Sequence, residues 1–175
     1  MEIRQVQTSD EAAVERFLGR IPESDRSFFK EDVTDPDVVA FWTRRGGITA
    51  VAVENGEVVG YGAVIPLQGW SSHVGEVRVI IDPDHRRHGV GRSLAQRAVL
   101  SALELGLTKL VVEVIADQEP TIAMFRSLGF DPEALLEDQV RDQSGELHDL
   151  MILAHSVEES WASMLSTGIA DSLSG

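Results

Sequence analysis

Apolar residues at helical spacing mark the first third of the chain. Ala12, Val14, Phe17 and Leu18 fall on one face of a helix, and Pro22 ends the pattern. These positions predict an amphipathic helix with one buried side.

Three further elements are expected around this helix. A short strand is predicted at residues 3–6, and the run Thr8-Ser9-Asp10-Glu11 matches a capping box in front of the helix. Further helices are predicted at 25–30 and from Asp35-Pro36 to about residue 44, where Gly46-Gly47 breaks the pattern.

The middle of the chain changes to the alternating and continuous apolar runs of strands. Asn55-Gly56 between two such runs is the typical signal of a tight hairpin. The predicted elements are strands at 48–53, 58–65, 73–81 and 109–115, helices at 89–105 and 119–128, a hairpin at 135–140 and 147–153, and a helix at 157–165.

This order of elements indicates a single α/β domain. We expect a mixed central sheet with an antiparallel N-terminal half, one parallel crossover and a C-terminal hairpin, flanked by helices. Residues 1–155 would form the domain, and residues 156–175 a C-terminal helix and a frayed tail.

Composition narrows the classes of function. The chain has 175 residues and a net charge of -14, which argues against a general nucleic-acid-binding surface. It has no cysteine, which excludes a disulfide scaffold, a thiol nucleophile and a cysteine zinc site. The N-terminus is polar, and no apolar run approaches the ~20 residues of a membrane span, so we expect a soluble cytoplasmic protein.

One basic island interrupts this acidic chain. No acidic residue occurs from His85 through Leu103, and the island opens with arginines and with Gly89 and Gly91 at a predicted helix start. Unpaired backbone N–H groups at a helix N-terminus attract anions, and glycine lets a phosphate approach the backbone. The pattern therefore indicates a polyanion site; the alternative is a tight turn with solvated arginines.

The known phosphate motifs do not fit this loop. It lacks the Gly-Lys-Ser/Thr ending of a P-loop, and Leu94 stands at the third glycine position of the dinucleotide fingerprint. No spacing typical of a metal site occurs around His85 and His88, and we expect no metal.

Two blocks of sequence resemble one family. Arg86-Arg87-His88-Gly89-Val90-Gly91 resembles motif A of the GNAT superfamily of N-acetyltransferases, and residues 110–130, ending Phe125-Arg126-Ser127-Leu128-Gly129-Phe130, resemble its motif B. The resemblance implies acetyl-CoA as donor and a small-molecule or protein amine as acceptor, and it leaves a homodimer open.

The resemblance also implies where the donor lies. The pyrophosphate would rest on backbone amides at the start of the middle helix, and the pantetheine would run between strands 73–81 and 109–115. The implied cofactor-binding residues are Val79, Ile80, Ile81, Arg86, Arg87, His88, Gly89, Val90, Gly91, Arg92, Ser93, Gln118 and Phe125.

The catalytic groups are less well marked. Phe125 stands where the family often has a tyrosine acid, which raises the alternative of a non-catalytic acyl-CoA-binding module. Glu113 interrupts an apolar strand and Glu76 lies mid-strand, so both are candidate bases. The alternatives are an ion pair of Glu113 with Arg78 and a solvent-facing Glu76. A nucleotide-binding α/β domain using the same loop is a further alternative.

Overall fold

The core of the molecule is a seven-stranded mixed sheet. We analysed a computed structural model, which describes residues 1–157 except 27, 36 and 45. The strands run in the order β1-β2-β3-β4-β5-β7-β6. Their bounds are β1 (Glu2–Gln5), β2 (Ile48–Glu54), β3 (Glu57–Pro66), β4 (Val74–Ile81), β5 (Lys109–Ile115), β6 (Asp131–Arg141) and β7 (Leu147–Ser156).

The predicted topology is confirmed. β4 and β5 form a parallel pair, and every other neighbouring pair in the sheet is antiparallel. The parallel pair needs a crossover, which the long middle helix supplies. The helix predicted at 157–165 and most of the tail lie outside the described residues.

Helices cover both faces of the sheet. They are α1 (Glu11–Arg20), α2 (Glu23–Arg26), α3 (Val38–Arg44), α4 (Val90–Glu104) and α5 (Glu119–Arg126). Because strand side chains alternate between faces, Val51 and Tyr61 pack with α1 and α3, whereas Ala52 and Val59 pack with the start of α4. Among the described residues, no helix is long and apolar enough to cross a membrane.

Two glycines of β3 set the position of α4. A Cβ at Gly60 would lie 2.9 Å from Leu94 Cδ1 and 3.0 Å from Val90 Cγ1, and one at Gly62 would lie 3.4 Å from Leu94 Cδ2. The helix therefore packs directly against the strand backbone. This close packing fixes the N-terminal turn of α4 beside the C-terminal end of β4.

The capping box expected at the start of α1 is built differently. Asp10 accepts the Gln7 backbone N–H at 2.8 Å and binds both terminal nitrogens of Arg4, at 2.6 and 2.8 Å. The hydrogen bond from Arg4 lowers the pKa of the buried Asp10 carboxyl to about 2. Asp10 thus ties β1 to the first helix.

The predicted second helix is displaced. It was expected at residues 25–30, but α2 spans Glu23–Arg26, and residues 28–31 lie against the sheet. Glu31 and Lys30 in this stretch form ion pairs with side chains of β4 and β5. Residues 28–31 are thus non-helical and held by long-range contacts, although the local pattern predicts a helix there.

Candidate active site

A gap opens in the middle of the sheet. The pairing of β4 with β5 runs from Val74 with Lys109 to Val77 with Val112. Beyond this last pair, each strand bonds only its outer neighbour, β3 or β7, among the strands that the structure describes, up to Ile81 and Ile115. Two strand edges therefore face each other across an unpaired gap.

The strand alternation decides which backbone groups of β4 face this gap. The Val74 carbonyl accepts from Leu67 N–H at 2.9 Å, and Asp82 N–H donates to the Val59 carbonyl at 3.0 Å, so even-numbered residues point to β3. Because the backbone N–H and C=O groups of successive residues point to opposite edges of a strand, those of Val79 and Ile81 point into the gap. The backbone of Ile80 faces β3, although the sequence had grouped it with the other two.

A buried carboxylate shapes the turn after β4. Asp82 accepts the Asp84 backbone N–H at 3.1 Å and Arg20 Nε at 2.7 Å, and Arg20 also bonds the Val58 carbonyl. Burial raises the pKa of the Asp82 carboxyl, but the bonds from Arg20 and Asp84 outweigh burial and hold that pKa below its ordinary value. The turn is thereby fixed to the core.

Six consecutive backbone N–H groups follow this turn without an acceptor in the described part of the chain. They belong to residues 87–92, between Arg86, whose N–H bonds the Pro83 carbonyl, and Ser93, whose N–H bonds the Gly89 carbonyl. Arg87 and Gly89 have φ of 65° and 84°, a left-handed geometry that turns the loop into the helix. Free N–H groups can donate hydrogen bonds to a diphosphate, and the partial positive charge at the N-terminus of α4 attracts its negative charge.

The side chains of this loop play different parts. Arg86 binds Asp25, and Arg92 Nη1 donates to Ser127 Oγ at 2.7 Å, so both are engaged within the protein. Arg87 and His88 are exposed, and neither has a hydrogen bond or ion pair with another described residue. The side chain of Val90 is buried, which leaves only its backbone for a ligand.

Glycine at position 91 permits a second close approach. A Cβ there would lie 3.2 Å from Met124 Sδ and 3.7 Å from Ile81 Cγ1. The first turn of α4 therefore lies against both α5 and the end of β4.

The two residues expected from the second block lie apart from each other. Gln118 is exposed at the N-terminus of α5, beyond the C-terminal end of β5. Phe125 is 2% exposed and packs edge-on against Phe130 with ring centroids 5.2 Å apart. Their contact with a cofactor stays a prediction.

The two candidate bases share one partner. Lys30 Nζ lies 3.0 Å from Glu76 Oε1 and 2.9 Å from Glu113 Oε2. Glu76 precedes Val77, the last paired residue of β4, and Glu113 follows Val112, the last paired residue of β5. The ammonium group therefore lies where the gap begins.

Two further charges complete this cluster. Arg78 Nε donates to Glu76 Oε1 at 2.7 Å, and Arg78 also binds Glu31. Burial raises the pKa of the Glu76 carboxyl, but Arg78 and Lys30 outweigh burial and hold that pKa below its ordinary value. Both alternatives from the sequence are wrong: Glu113 binds Lys30, not Arg78, and the Glu76 side chain is only 13% exposed.

Sequence reasoning missed Lys30 because its partners are far away in the chain. One signal was present: the chain contains only two lysines, Lys30 and Lys109. Lys30 is the only lysine in the first hundred residues, and this rarity could have drawn attention to it.

A cleft of about 520 Å³ adjoins the cluster. One wall comes from the α2–α3 connection, including Phe29 and Glu31, and another from Arg141 and Asp142 at the β6–β7 turn. The carboxylates lining it are those of Glu23, Glu31, Asp32 and Asp142. The cationic side chains of Arg26, Lys30 and Arg141 line it as well, so the cleft carries charges of both signs and can admit a ligand of small-molecule size.

The β6–β7 turn holds a polar network beside the cleft. His148 Nε2 lies 3.1 Å from Asp142 Oδ2, and the Phe28 ring meets the His148 ring edge-on at 5.3 Å. The Asp142 hydrogen bond raises the pKa of His148. Asp142, Glu146 and His148 bring possible metal-ligand atoms within 4.8 Å of one another, a grouping that the sequence spacing did not indicate.

Known proteins resemble this chain in sequence. Residues 16–130 match the acetyltransferase (GNAT) family. The L-amino acid N-acyltransferase MnaT of Escherichia coli K12 is 26% identical over 165 residues, which cover 91% of this chain and 95% of that protein. The [ribosomal protein bS18]-alanine N-acetyltransferase of the same organism is 30% identical over 76 residues, or 43% of this chain and 51% of that protein.

Solved structures share the fold. A putative acetyltransferase from Salmonella typhimurium, yncA, determined with its cofactor acetyl-CoA, superposes with a TM-score of 0.77 at 23% identity and covers 89% of this chain and 93% of its own. A phosphinothricin acetyltransferase from Sinorhizobium meliloti in complex with AcCoA gives a TM-score of 0.78 at 19% identity, covering 89% of this chain and 87% of its own.

Proposed function

The chain belongs to the acetyltransferase (GNAT) family, and from that premise we propose that it moves an acetyl group from acetyl-CoA onto a primary amine. The observation that carries this proposal is the row of free amides at residues 87–92, which lies beside the end of an open strand edge. The free amides could donate hydrogen bonds to the diphosphate of coenzyme A. The open strand edge could pair with the amide groups of its pantetheine arm.

The arm of the donor would add to β4 as a further strand does. Val79 and Ile81 are the two alternate residues of β4 whose backbone N–H and C=O groups face the gap, as strand pairing requires. Val79 is the first gap-facing residue after Val77, so its N–H is the donor we assign to the oxygen of the reacting thioester. A fixed N–H at a developing oxyanion is typically worth ~10²–10³ in rate.

The acceptor amine must lose a proton before it attacks. Glu113 is the better base because Lys30 is its one ion-pair partner among the described residues, and its side chain is 31% exposed to water that can carry the proton away. Glu76 is held by both Arg78 and Lys30, which favours a role in binding the cationic amine. Either role needs the acceptor nitrogen near the present position of Lys30 Nζ.

The leaving group needs little help. A thiol has a pKa near ~8.5, so the thiolate can depart without a strong acid. Phe125 is buried and has no proton to give, and the one tyrosine, Tyr61, is buried against Trp42 on the α1–α3 side. Alignment of the two reactants would supply much of the acceleration.

Relatives suggest the class of acceptor. The similar proteins act, by their names, on an L-amino acid or on an alanine of a ribosomal protein, which are both α-amines. In the cleft beside the cluster, the carboxylates of Glu23 and Asp32 could hold the ammonium group of such a ligand. The cytoplasmic location, the absence of nucleic-acid binding and a homodimer remain predictions.

Two measurements test the proposal. Saturating acetyl-CoA should stabilise the protein, by ~2.7 kcal/mol at a hundredfold excess over its dissociation constant, whereas ATP and NAD should not. Release of free CoA thiol should then accelerate with at least one amine from a panel of L-amino acids and N-terminal peptides. Stabilisation by ATP but not by acetyl-CoA would refute the assignment, and donor binding without turnover would support a binding module.

A further inference from the structure

We infer that Lys30 is itself an acceptor, so that the protein acetylates its own Lys30 side chain. The inference rests on the proposed function, because it uses the same donor site. Its basis is the position of Lys30 Nζ, which lies within 3.0 Å of both Glu76 and Glu113. An amine of the chain thus already occupies the place that the acceptor amine needs.

The segment around Lys30 is fixed on both sides. Glu31 binds Arg78 of β4, and the Phe28 ring packs against His148 of β7. The contacts of its neighbours, together with its own ion pairs, therefore hold Lys30 at the start of the gap between β4 and β5. Its side chain is 42% exposed, which leaves it room to move toward a thioester in the gap.

The second lysine of the chain provides an internal comparison. Lys109 begins β5 and, within residues 1–157, pairs with the carboxylate of Glu133 at 2.7 Å. Glu113 lies four positions further along the strand, or about 13 Å away at the usual rise per residue. Lys109 lies at the paired end of β5, away from the gap, although it is about as exposed as Lys30.

The reaction balances without any further reagent. The Lys30 ammonium gives one proton to Glu113, which passes it to water, and the neutral nitrogen attacks the acetyl carbon. A nitrogen–carbon bond forms, the carbon–sulfur bond breaks, and the thiolate leaves and takes up the second proton of the nitrogen. The products are a neutral acetamide on Lys30 and free CoA. Acetylation also removes the positive charge that now holds Glu76 and Glu113 together.

The test uses the full chain and acetyl-CoA with a deuterated acetyl group. Digestion and mass spectrometry follow the label at Lys30, at Lys109 and at the N-terminal amine over time. Lys30 should gain label roughly tenfold or more faster than Lys109, since only its nitrogen is aligned with the donor. The rate per molecule should not change with protein concentration, because the ion pairs are within one chain.

Three variants and one condition control this result. Lys30→Arg should lose the label, Lys109→Arg should keep it at Lys30, and Glu113→Gln should slow it. Protein unfolded in denaturant should label both lysines alike.

Equal labelling of the two lysines in the folded protein would overturn the inference. If Lys30 stays unlabelled while added amines are acetylated, the inference alone fails; if acetyl-CoA neither binds nor reacts, the proposed function fails with it.

Discussion

Glu76 and Glu113 belong to neighbouring parallel strands, and their carboxylates hold the same ammonium group, at 3.0 and 2.9 Å from Lys30 Nζ. They flank the last paired rung of β4 and β5, so the charge pair lies where the sheet opens. The geometry places two carboxylates and the ammonium group between them at the start of the gap that would carry the acyl donor.

Substitution of Gly89 should weaken donor binding selectively. Gly89→Asn places a side chain at the row of free amides, and we expect the dissociation constant for acetyl-CoA to rise at least ~10-fold, since the phosphate can no longer approach the backbone. Gly106→Asn is the matched control, because Gly106 has the same left-handed geometry and open surroundings at the other end of α4. Calorimetric titration of both variants measures the difference; equal affinities would place the diphosphate elsewhere.

Removal of the Glu113 carboxylate should lower turnover. Glu113→Gln keeps the shape of the side chain, and we expect kcat to fall by about 10²-fold with little change in donor affinity, the usual range for a lost base. Glu133→Gln removes the comparable ion pair with Lys109 at the opposite end of β5 and should leave kcat unchanged. Steady-state CoA release measures both variants. A Glu113→Gln enzyme with the rate and pH profile of the parent would exclude Glu113 as the base.

Two glycine-to-alanine changes should move stability in opposite directions. Gly60→Ala brings a methyl group within 2.9 Å of Leu94 Cδ1, and we expect a loss of about 1–3 kcal/mol from overpacking. Gly19 lies on the exposed side of α1, where an added Cβ would meet no described atom within 4 Å beyond its own stretch of helix, and the better helix propensity of alanine should add up to about 1 kcal/mol. Urea unfolding of both variants measures the change; a neutral Gly60→Ala would mean that α4 does not pack directly on β3.

The ion pair of Arg4 with Asp10 should contribute to stability in a pH-dependent way. The folded pKa of Asp10 is about 2, below its unfolded value near ~3.9, so the contribution is complete above pH ~4 and disappears as the pH falls through ~2. Asp10→Asn should therefore cost about 1–2 kcal/mol at neutral pH and much less in acid. Urea unfolding of parent and variant at each pH checks this, and a cost that does not shrink in acid would contradict it.

The sequence predicted the parts of the fold that depend on local patterns. The bounds of β5 agree with the apolar run at 109–115, and the Asn55-Gly56 hairpin, the parallel crossover and the loop from Arg86 to Gly91 are all present. Each of these follows from residue periodicity or from turn chemistry within a short stretch of chain.

The contacts that complete the site could not be predicted in this way. Lys30 reaches Glu76 and Glu113 because residues 28–31 lie against the sheet, and both partners are far away in the chain. Single-sequence patterns carry no information on such long-range pairs. The direction of the Ile80 backbone likewise follows from the strand register, which depends on the partner strand.

A structure determined with bound coenzyme A tests the central claim most directly. The account predicts diphosphate oxygens within hydrogen-bonding distance of the N–H groups of residues 87–92, an arm paired with Val79 and Ile81, and the sulfur in the gap close to Lys30 Nζ. A complex in which the amides at 87–92 bind no phosphate, or in which the sulfur lies outside the gap between β4 and β5, would contradict it.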